Sequence, residues 1–109
     1  MSKICLINQP AGIGDVFFLQ KMVKFYIGKG YTVIFPLLPE IMFIKDYIIV
    51  DGLEFVPIND NFQFKNYLSY NKVFENENFI YIPARFADTI YPNMSCMEAK
   101  YKLVNLDYS

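Results

Sequence analysis

The chain has 109 residues, which is the length of a single domain, and its 54% hydrophobic and 18% aromatic content argues against disorder. A net charge of -1, from ten basic and eleven acidic residues, excludes the basic surface of a nucleic-acid-binding protein. Because the sequence has no His and only two Cys residues, Cys5 and Cys96, it lacks His-dependent catalysis, a CxxC redox motif and a cysteine zinc site. We therefore expect neither a metal nor a cofactor.

The first third of the chain predicts a βαβ unit. Residues 3–8 form a short apolar run, which is typical of a parallel strand that is buried on both faces. Residues 15–28 carry apolar side chains on one face and Lys on the other, which predicts an amphipathic helix ending at Gly28 and Gly30. Residues 31–35 are β-branched and aromatic and predict a second strand. The two strands should be parallel and joined by a right-handed crossover.

The remainder of the chain is less regular. We predict a helix over residues 39–45, strands over 54–58 and 79–83, loops over 59–78 with a weak hairpin at 72–75, a loop over 84–93, and a helix over 95–104. Ser95 and Glu98 have the spacing of a capping box at the start of the last helix. Together these elements predict an α/β, Rossmann-like, three-layer domain with a mostly parallel sheet over residues 1–109.

The turn after the first strand, Gly12-Ile13-Gly14-Asp15, is the candidate functional motif. A dinucleotide fingerprint would need a third glycine, but Phe17 stands there, and no acidic residue ends the second strand. A Walker-type phosphate loop would need Gly-Lys-Ser/Thr, which is absent. Neither nucleotide motif therefore fits the turn.

A third interpretation is a cleft turn without a nucleotide motif. Two glycines allow a sharp bend and leave backbone N–H groups free at the start of a helix, where a polar or anionic substrate can bind. Asp15 then points into the crevice beyond the carboxyl ends of the strands, where open α/β sheets bind ligands. The alternative is that Asp15 only caps the helix.

Arg85 is the single Arg of the chain and follows the strand at residues 79–83. It should lie at the same end of the sheet as Asp15, where it could bind a phosphate or carboxylate of a substrate. The alternative is a surface Arg paired with Asp88. An aromatic stripe could form a sugar platform, but packing in the core is the favoured interpretation. The residues of this stripe are Tyr67, Tyr70, Phe74 and Phe79.

Two segments of the sequence resemble a known family. The run Lys3-Ile4-Cys5-Leu6-Ile7, followed by Gly12-Ile13-Gly14-Asp15-Val16, resembles the opening of the heptosyltransferase-like glycosyltransferases, glycosyltransferase family nine. Their chains begin with a strand, a G-x-G-D turn and an amphipathic helix. Residues 92–101 resemble a segment of phage- and virus-associated relatives. The resemblance is good through the second strand and weak in the remainder.

The resemblance implies a two-domain GT-B enzyme whose first Rossmann-like domain receives the sugar acceptor. Its second domain would bind the nucleotide-sugar donor. It also implies that Asp15 is the catalytic base of an inverting transfer. The candidate substrate-binding residues, which follow from the position of the turn and of Arg85 rather than from the resemblance, are Gly12, Ile13, Gly14 and Arg85. At 109 residues the chain is shorter than a complete first domain of this family, so we expect an incomplete GT-B fold, no donor domain and no activity of this chain alone.

Further expectations concern the location and the partners of the protein. The start of the chain lacks the pattern of a signal peptide and Cys5 lies in an apolar run, so we expect a cytoplasmic location. Residues 33–50 are interrupted by prolines and charges and should not span a membrane. The apolar composition predicts self-association.

A different functional class remains open, namely a non-catalytic module that binds a small anionic ligand or a partner chain.

Overall fold

The fold is built on a five-stranded sheet with the strand order β3-β2-β1-β5-β4. The structure, a computed structural model, describes residues 3–106, apart from the side chain of Cys96. The strands are β1 (Lys3–Ile7), β2 (Tyr31–Leu37), β3 (Leu53–Pro57), β4 (Phe74–Glu75) and β5 (Phe79–Ile82). β1 pairs in parallel with β2 and β5, β2 pairs in parallel with β3, and β4 pairs antiparallel with β5. The predicted α/β, Rossmann-like class with a mostly parallel sheet is confirmed.

The predicted first helix is present but is divided into α1 (Ile13–Phe18) and α2 (Gln20–Gly28). Backbone hydrogen bonds cross the break at Leu19, since its N–H donates to the Asp15 carbonyl and its own carbonyl accepts from Val23, both at 3.0 Å. The apolar face is buried as predicted. The helix begins two residues earlier than expected, because Gly12 is the N-cap residue and Asp15 lies in the first turn.

Three helical segments of the described chain were not predicted, namely the 3-10 helices at Lys65–Tyr67 and Ala84–Phe86 and the α-helix α3 (Ala87–Ile90). The helices predicted over residues 39–45 and 95–104 are present as a 3-10 helix at Pro39–Asp46 and as α4 (Cys96–Lys102). The loop predicted over residues 84–93 is therefore wrong in its first half, because the small buried residues Ala84 and Ala87 allow tight turns against the sheet. The capping box is confirmed, with the Glu98 N–H donating to Ser95 Oγ at 3.2 Å.

The two faces of the sheet are covered differently. On the first face, odd-numbered residues of β1 and β2 such as Cys5 and Phe35 pack against α1, α2, the Pro39–Asp46 segment and α4. On the second face, Leu6 and Tyr81 pack against aromatic side chains of residues 59–70. The α-helical third layer of the prediction is therefore replaced, in the described chain, by an irregular segment with one 3-10 turn.

The aromatic stripe lies on this second face but is less buried than expected. Tyr67 contacts the rings of Tyr70, Phe74 and Phe79, with ring centroids 5.0–6.1 Å apart. Tyr70 and Phe74 remain 51% and 42% exposed. The stripe therefore packs mainly through its own rings and only partly as core.

Candidate functional site

The glycine turn places Asp15 against the backbone of Gly12. Gly12 has a φ of 87°, in the left-handed region that favours glycine. A Cβ atom built on Gly12 would lie 2.7 Å from Asp15 Oδ2, closer than real Cβ contacts. The turn therefore needs a glycine at this position for its backbone angle, and a larger residue would also displace the Asp15 carboxylate.

The Asp15 side chain is half-buried and does not cap the helix. Within residues 3–106 its carboxylate has neither a hydrogen-bond donor nor an ion-pair partner. The first intrahelical bond runs from the Val16 N–H to the Gly12 carbonyl at 3.0 Å, so the N–H groups of residues 13–15 have no partner inside the helix. The turn thus presents a free carboxylate beside backbone donors.

Gly14 differs from Gly12 because the fold does not need a glycine there. Its backbone is helical, and a Cβ atom built on it would meet no neighbour within 4 Å among the described residues. A glycine at a helical position costs about 0.5–1 kcal/mol relative to Ala. Gly14 is exposed, so this position is open to a close approach by a molecule outside the fold.

A buried lysine, which the sequence analysis missed, supports the turn from α4. Lys100 is 3% exposed, and its Nζ donates to Gln9 Oε1 and, at 3.0 Å, to the Ala84 carbonyl. Gln9 Nε2 in turn donates to the Ala11 carbonyl at 2.8 Å. A lysine in a short helix is usually solvated, so Lys100 itself gives no sign of this role in the sequence. The available signal is Gln9, a polar residue directly after a buried strand.

Asn8, directly before Gln9, reaches the opposite face because side chains alternate along a strand. Its Nδ2 donates to the Leu68 carbonyl at 3.0 Å and to the Tyr81 hydroxyl at 2.9 Å, and that hydroxyl donates to the Tyr70 carbonyl at 2.7 Å. Burial raises the pKa of Tyr81 above its ordinary value, so the hydroxyl stays protonated as this network requires. Asn8 Oδ1 is buried and has no partner in the described chain.

Arg85 lies at the predicted end of the sheet. Its backbone N–H donates to the Asn8 carbonyl at 2.9 Å, beside the carboxyl ends of β1 and β5. Its guanidinium is exposed and lies 5.2 Å from the ring centroid of Phe86, a cation–π contact, rather than in the ion pair with Asp88 that the sequence allowed. The structure therefore brings Arg85 and the glycine turn to one edge of the sheet.

This edge is an open surface rather than an enclosed pocket. Ala11, Gly12, Ile13 and Gly14 are all exposed. Across residues 3–106, no group of three or more Cys, Asp or Glu side chains could hold a metal ion. No helix in the same part of the chain is long and apolar enough to cross a membrane.

No family model matches the chain, and no similar protein was found among the curated proteins or the solved structures.

Proposed function

We propose that the chain forms the acceptor side of an inverting glycosyltransferase site, with Asp15 as the catalytic base. The observation that carries this proposal is that the Asp15 carboxylate has no partner in the described chain. An Asp whose only role is capping would accept a hydrogen bond from a backbone N–H of the first turn. A free carboxylate beside the carboxyl ends of parallel strands favours the role of a base over that of a cap.

The chemistry of inverting transfer suits this carboxylate. Asp15 would accept the proton of an acceptor hydroxyl while the hydroxyl oxygen attacks the anomeric carbon and the bond to the nucleoside diphosphate breaks. The donor would be held by a second domain that these residues do not include. An open half-site is compatible with a cleft that closes only between two domains.

Two neighbouring residues would bind the acceptor. Gly14 would let the acceptor approach the backbone N–H groups of the turn, which explains a glycine that the fold does not need. Arg85 would bind an anionic group of the acceptor through its planar, two-pronged guanidinium. Both residues lie at the same edge of the sheet as Asp15.

The test is a fusion of this chain to the donor domain of a heptosyltransferase-like enzyme, assayed for nucleoside diphosphate release with a panel of nucleotide-sugars and sugar acceptors. We expect Asp15→Asn to lower the rate by about 10²–10⁴, the usual effect of removing a general base. Thermal stability should change little, because the carboxylate makes no capping bond that Asn would lose. Gly14→Ala should lower acceptor affinity while leaving the fold as stable or more stable.

Asp51→Asn is the matched control, since Asp51 is exposed in the turn before β3 and should not affect the rate. If Asp15→Asn retains full turnover in an active fusion, Asp15 is not the base. A fusion without transfer activity on the panel would also count against the proposal.

A second candidate function is favoured by Lys100. Its ammonium is buried and both of its acceptors are neutral, so its positive charge would favour an anion at the nearby turn. In this case the chain would bind a small anion without reaction. Amide NMR of the 109-residue chain separates the candidates: inorganic phosphate alone should shift the signals of residues 12–15 if the second is correct, and sugar acceptors should shift them if the first is.

A further inference from the structure

A cleft of about 300 Å³ lies on the second face of the sheet, between residues 59–64 and two neighbouring strands, the edge strand β3 and the adjoining β2. This volume is at the lower end of the range of small-molecule sites. Its residues do not overlap with the glycine turn or with Arg85. An inference about this cleft therefore does not depend on the proposed function.

The floor of the cleft is apolar, and a single carboxylate stands at its side. In the strand register Glu54 pairs with Ile34, Ile34 with Leu6, and Leu6 with Tyr81. These residues form one row across the second face, and Glu54 is the charged residue in it. The row is otherwise apolar or aromatic, so Glu54 places a hydrogen-bond acceptor beside an apolar surface.

The segment opposite the strands supplies amides. Asn59, Asn61 and Gln63 line the cleft together with the rings of Phe62 and Phe64, which lie 5.9 Å apart. The Asn61 N–H donates to Asn59 Oδ1 at 2.8 Å, which leaves the Asn59 Nδ2 as a donor. An amide both donates and accepts hydrogen bonds, as a hydroxyl group does.

The charge of the lining decides the class of ligand. No Lys or Arg lines this cleft, so a phosphate or a carboxylate would meet Glu54 without a compensating cation. Three amides beside one carboxylate suit a ligand whose groups both donate and accept hydrogen bonds. An ammonium group only donates hydrogen bonds, so it would leave the N–H donors of the amides unused. An apolar floor of Ile34, Val56 and Phe64 suits a ligand with one carbon-rich face.

We propose that this cleft binds a small uncharged ligand that carries several hydroxyl groups, with its carbon face on the apolar floor. Methyl glucoside is the simplest probe of this class. Glucose 6-phosphate and protonated glucosamine present the same ring with an added negative or positive charge. The three probes therefore separate recognition of hydroxyl groups from recognition of charge.

The experiment is an amide NMR titration of the 109-residue chain with each probe. Methyl glucoside should shift the signals of residues 61–64, but not those of residues 12–15, with a Kd on the order of millimolar, as expected for a ligand of this size. Glucose 6-phosphate should bind about tenfold more weakly because Glu54 repels it. Glu54 should favour glucosamine by no more than a similar factor, so binding of glucosamine that is more than about 100-fold tighter than that of methyl glucoside would overturn the assignment to an uncharged ligand.

Two variants of the cleft test its polar groups. Gln63→Ala should raise the Kd for methyl glucoside by about 3- to 10-fold, the effect of one lost hydrogen bond. Glu54→Gln should abolish the discrimination between methyl glucoside and glucose 6-phosphate, because it removes the charge that repels the phosphate. Glu77→Gln, an exposed Glu outside the cleft, is the matched control.

Circular dichroism melting confirms that each variant is folded. All three substituted residues are exposed, so we expect the melting temperatures to remain unchanged. An absence of shifts at residues 61–64 with excess methyl glucoside would refute the proposal. Equal affinity of Gln63→Ala and the unsubstituted chain would also contradict the assigned role of the amide.

Discussion

The two faces of the sheet reach burial by different means. The first face is covered by helices that place rows of aliphatic side chains over the strands, and its core residues Phe35, Leu19 and Val23 are completely buried. The second face is covered by an irregular segment whose aromatic rings pack on each other and on Tyr81. Regular helices thus produce a continuous core, whereas the irregular cover leaves some of its rings exposed.

The difference also explains where the cleft lies. A few large rings cover much of the second face. They leave a gap between residues 59–64 and the strands β2 and β3, and this gap is the cleft. A helix at that position would place a row of side chains over Ile34 and Val56 and would close the gap. The less regular cover therefore leaves this cleft open on the second face.

The largest expected effect concerns core packing. Phe35→Ala on the first face should lower the free energy of unfolding by about 3–5 kcal/mol, because neighbouring helices cannot collapse into the cavity. Phe62→Ala on the second face should cost only about 1–3 kcal/mol, since its surroundings are looser. Urea unfolding followed by circular dichroism measures both. Equal losses would mean that the two faces do not differ in packing.

The next effect concerns the link between α4 and the first face. Lys100→Ala should cost about 1–3 kcal/mol, because it leaves Gln9 Oε1 and the Ala84 carbonyl buried without their donor. Lys102→Ala, an exposed position on the same helix, should stay within about 0.5 kcal/mol of the unsubstituted chain. If both substitutions have the same effect in urea unfolding, the buried contacts of Lys100 do not stabilise the fold.

A smaller effect should follow from removing the hydroxyl that joins the second face to its cover. Tyr81→Phe removes the hydrogen bond from Asn8 Nδ2 to the Tyr81 hydroxyl and the one from that hydroxyl to the Tyr70 carbonyl. We expect the free energy of unfolding to fall by about 0.5–1.5 kcal/mol. Tyr70→Phe is the control, because its carbonyl remains. Hydrogen exchange should quicken at residues 59–70 only in Tyr81→Phe. Uniform quickening over both faces would show that the cover does not open separately.

The smallest expected effect is the pH dependence of stability, which is negligible at neutral pH and grows in alkali. It arises from a buried Cys thiol and buried Tyr hydroxyls. Burial raises the pKa of Cys5 and Tyr26 on the first face, and of Tyr81 on the second. Their protonated forms are therefore favoured by folding, so this stability is complete below the ordinary values of 9.0 for Cys and 10.0 for Tyr. It is lost as the pH rises toward the pKa values of the folded state.

We expect the urea midpoint to be constant between neutrality and about pH 9 and to fall above it. Cys5→Ala and Tyr26→Phe should reduce this fall more than Tyr81→Phe, because the two first-face groups are the more strongly shifted. Tyr47→Phe, which is 74% exposed in the unsubstituted chain, should not alter it. A midpoint that rises in alkali would contradict the sign of these shifts.

Local sequence patterns determined the elements of the first half of this protein. An apolar run, a glycine turn and an amphipathic helix predict a βαβ unit because each pattern has a period or a backbone requirement of its own. The position of Asp15 and Arg85 at one edge of the sheet also followed, because the carboxyl ends of adjacent parallel strands lie together. The capping box at Ser95 is equally local.

Tertiary structure alone decided the features that depend on contacts between distant residues. Lys100 is buried because α4 packs beside Gln9, 91 residues away in the chain. Residues 59–70 cover the second face because Asn8 and Tyr81 donate hydrogen bonds to the Leu68 and Tyr70 carbonyls. The sequence likewise did not predict whether the Asp15 carboxylate caps its helix, because an Asp in this position has the same sequence pattern whether it caps or not. Local propensity contains no information about such pairings, because they are formed only when the chain closes on itself.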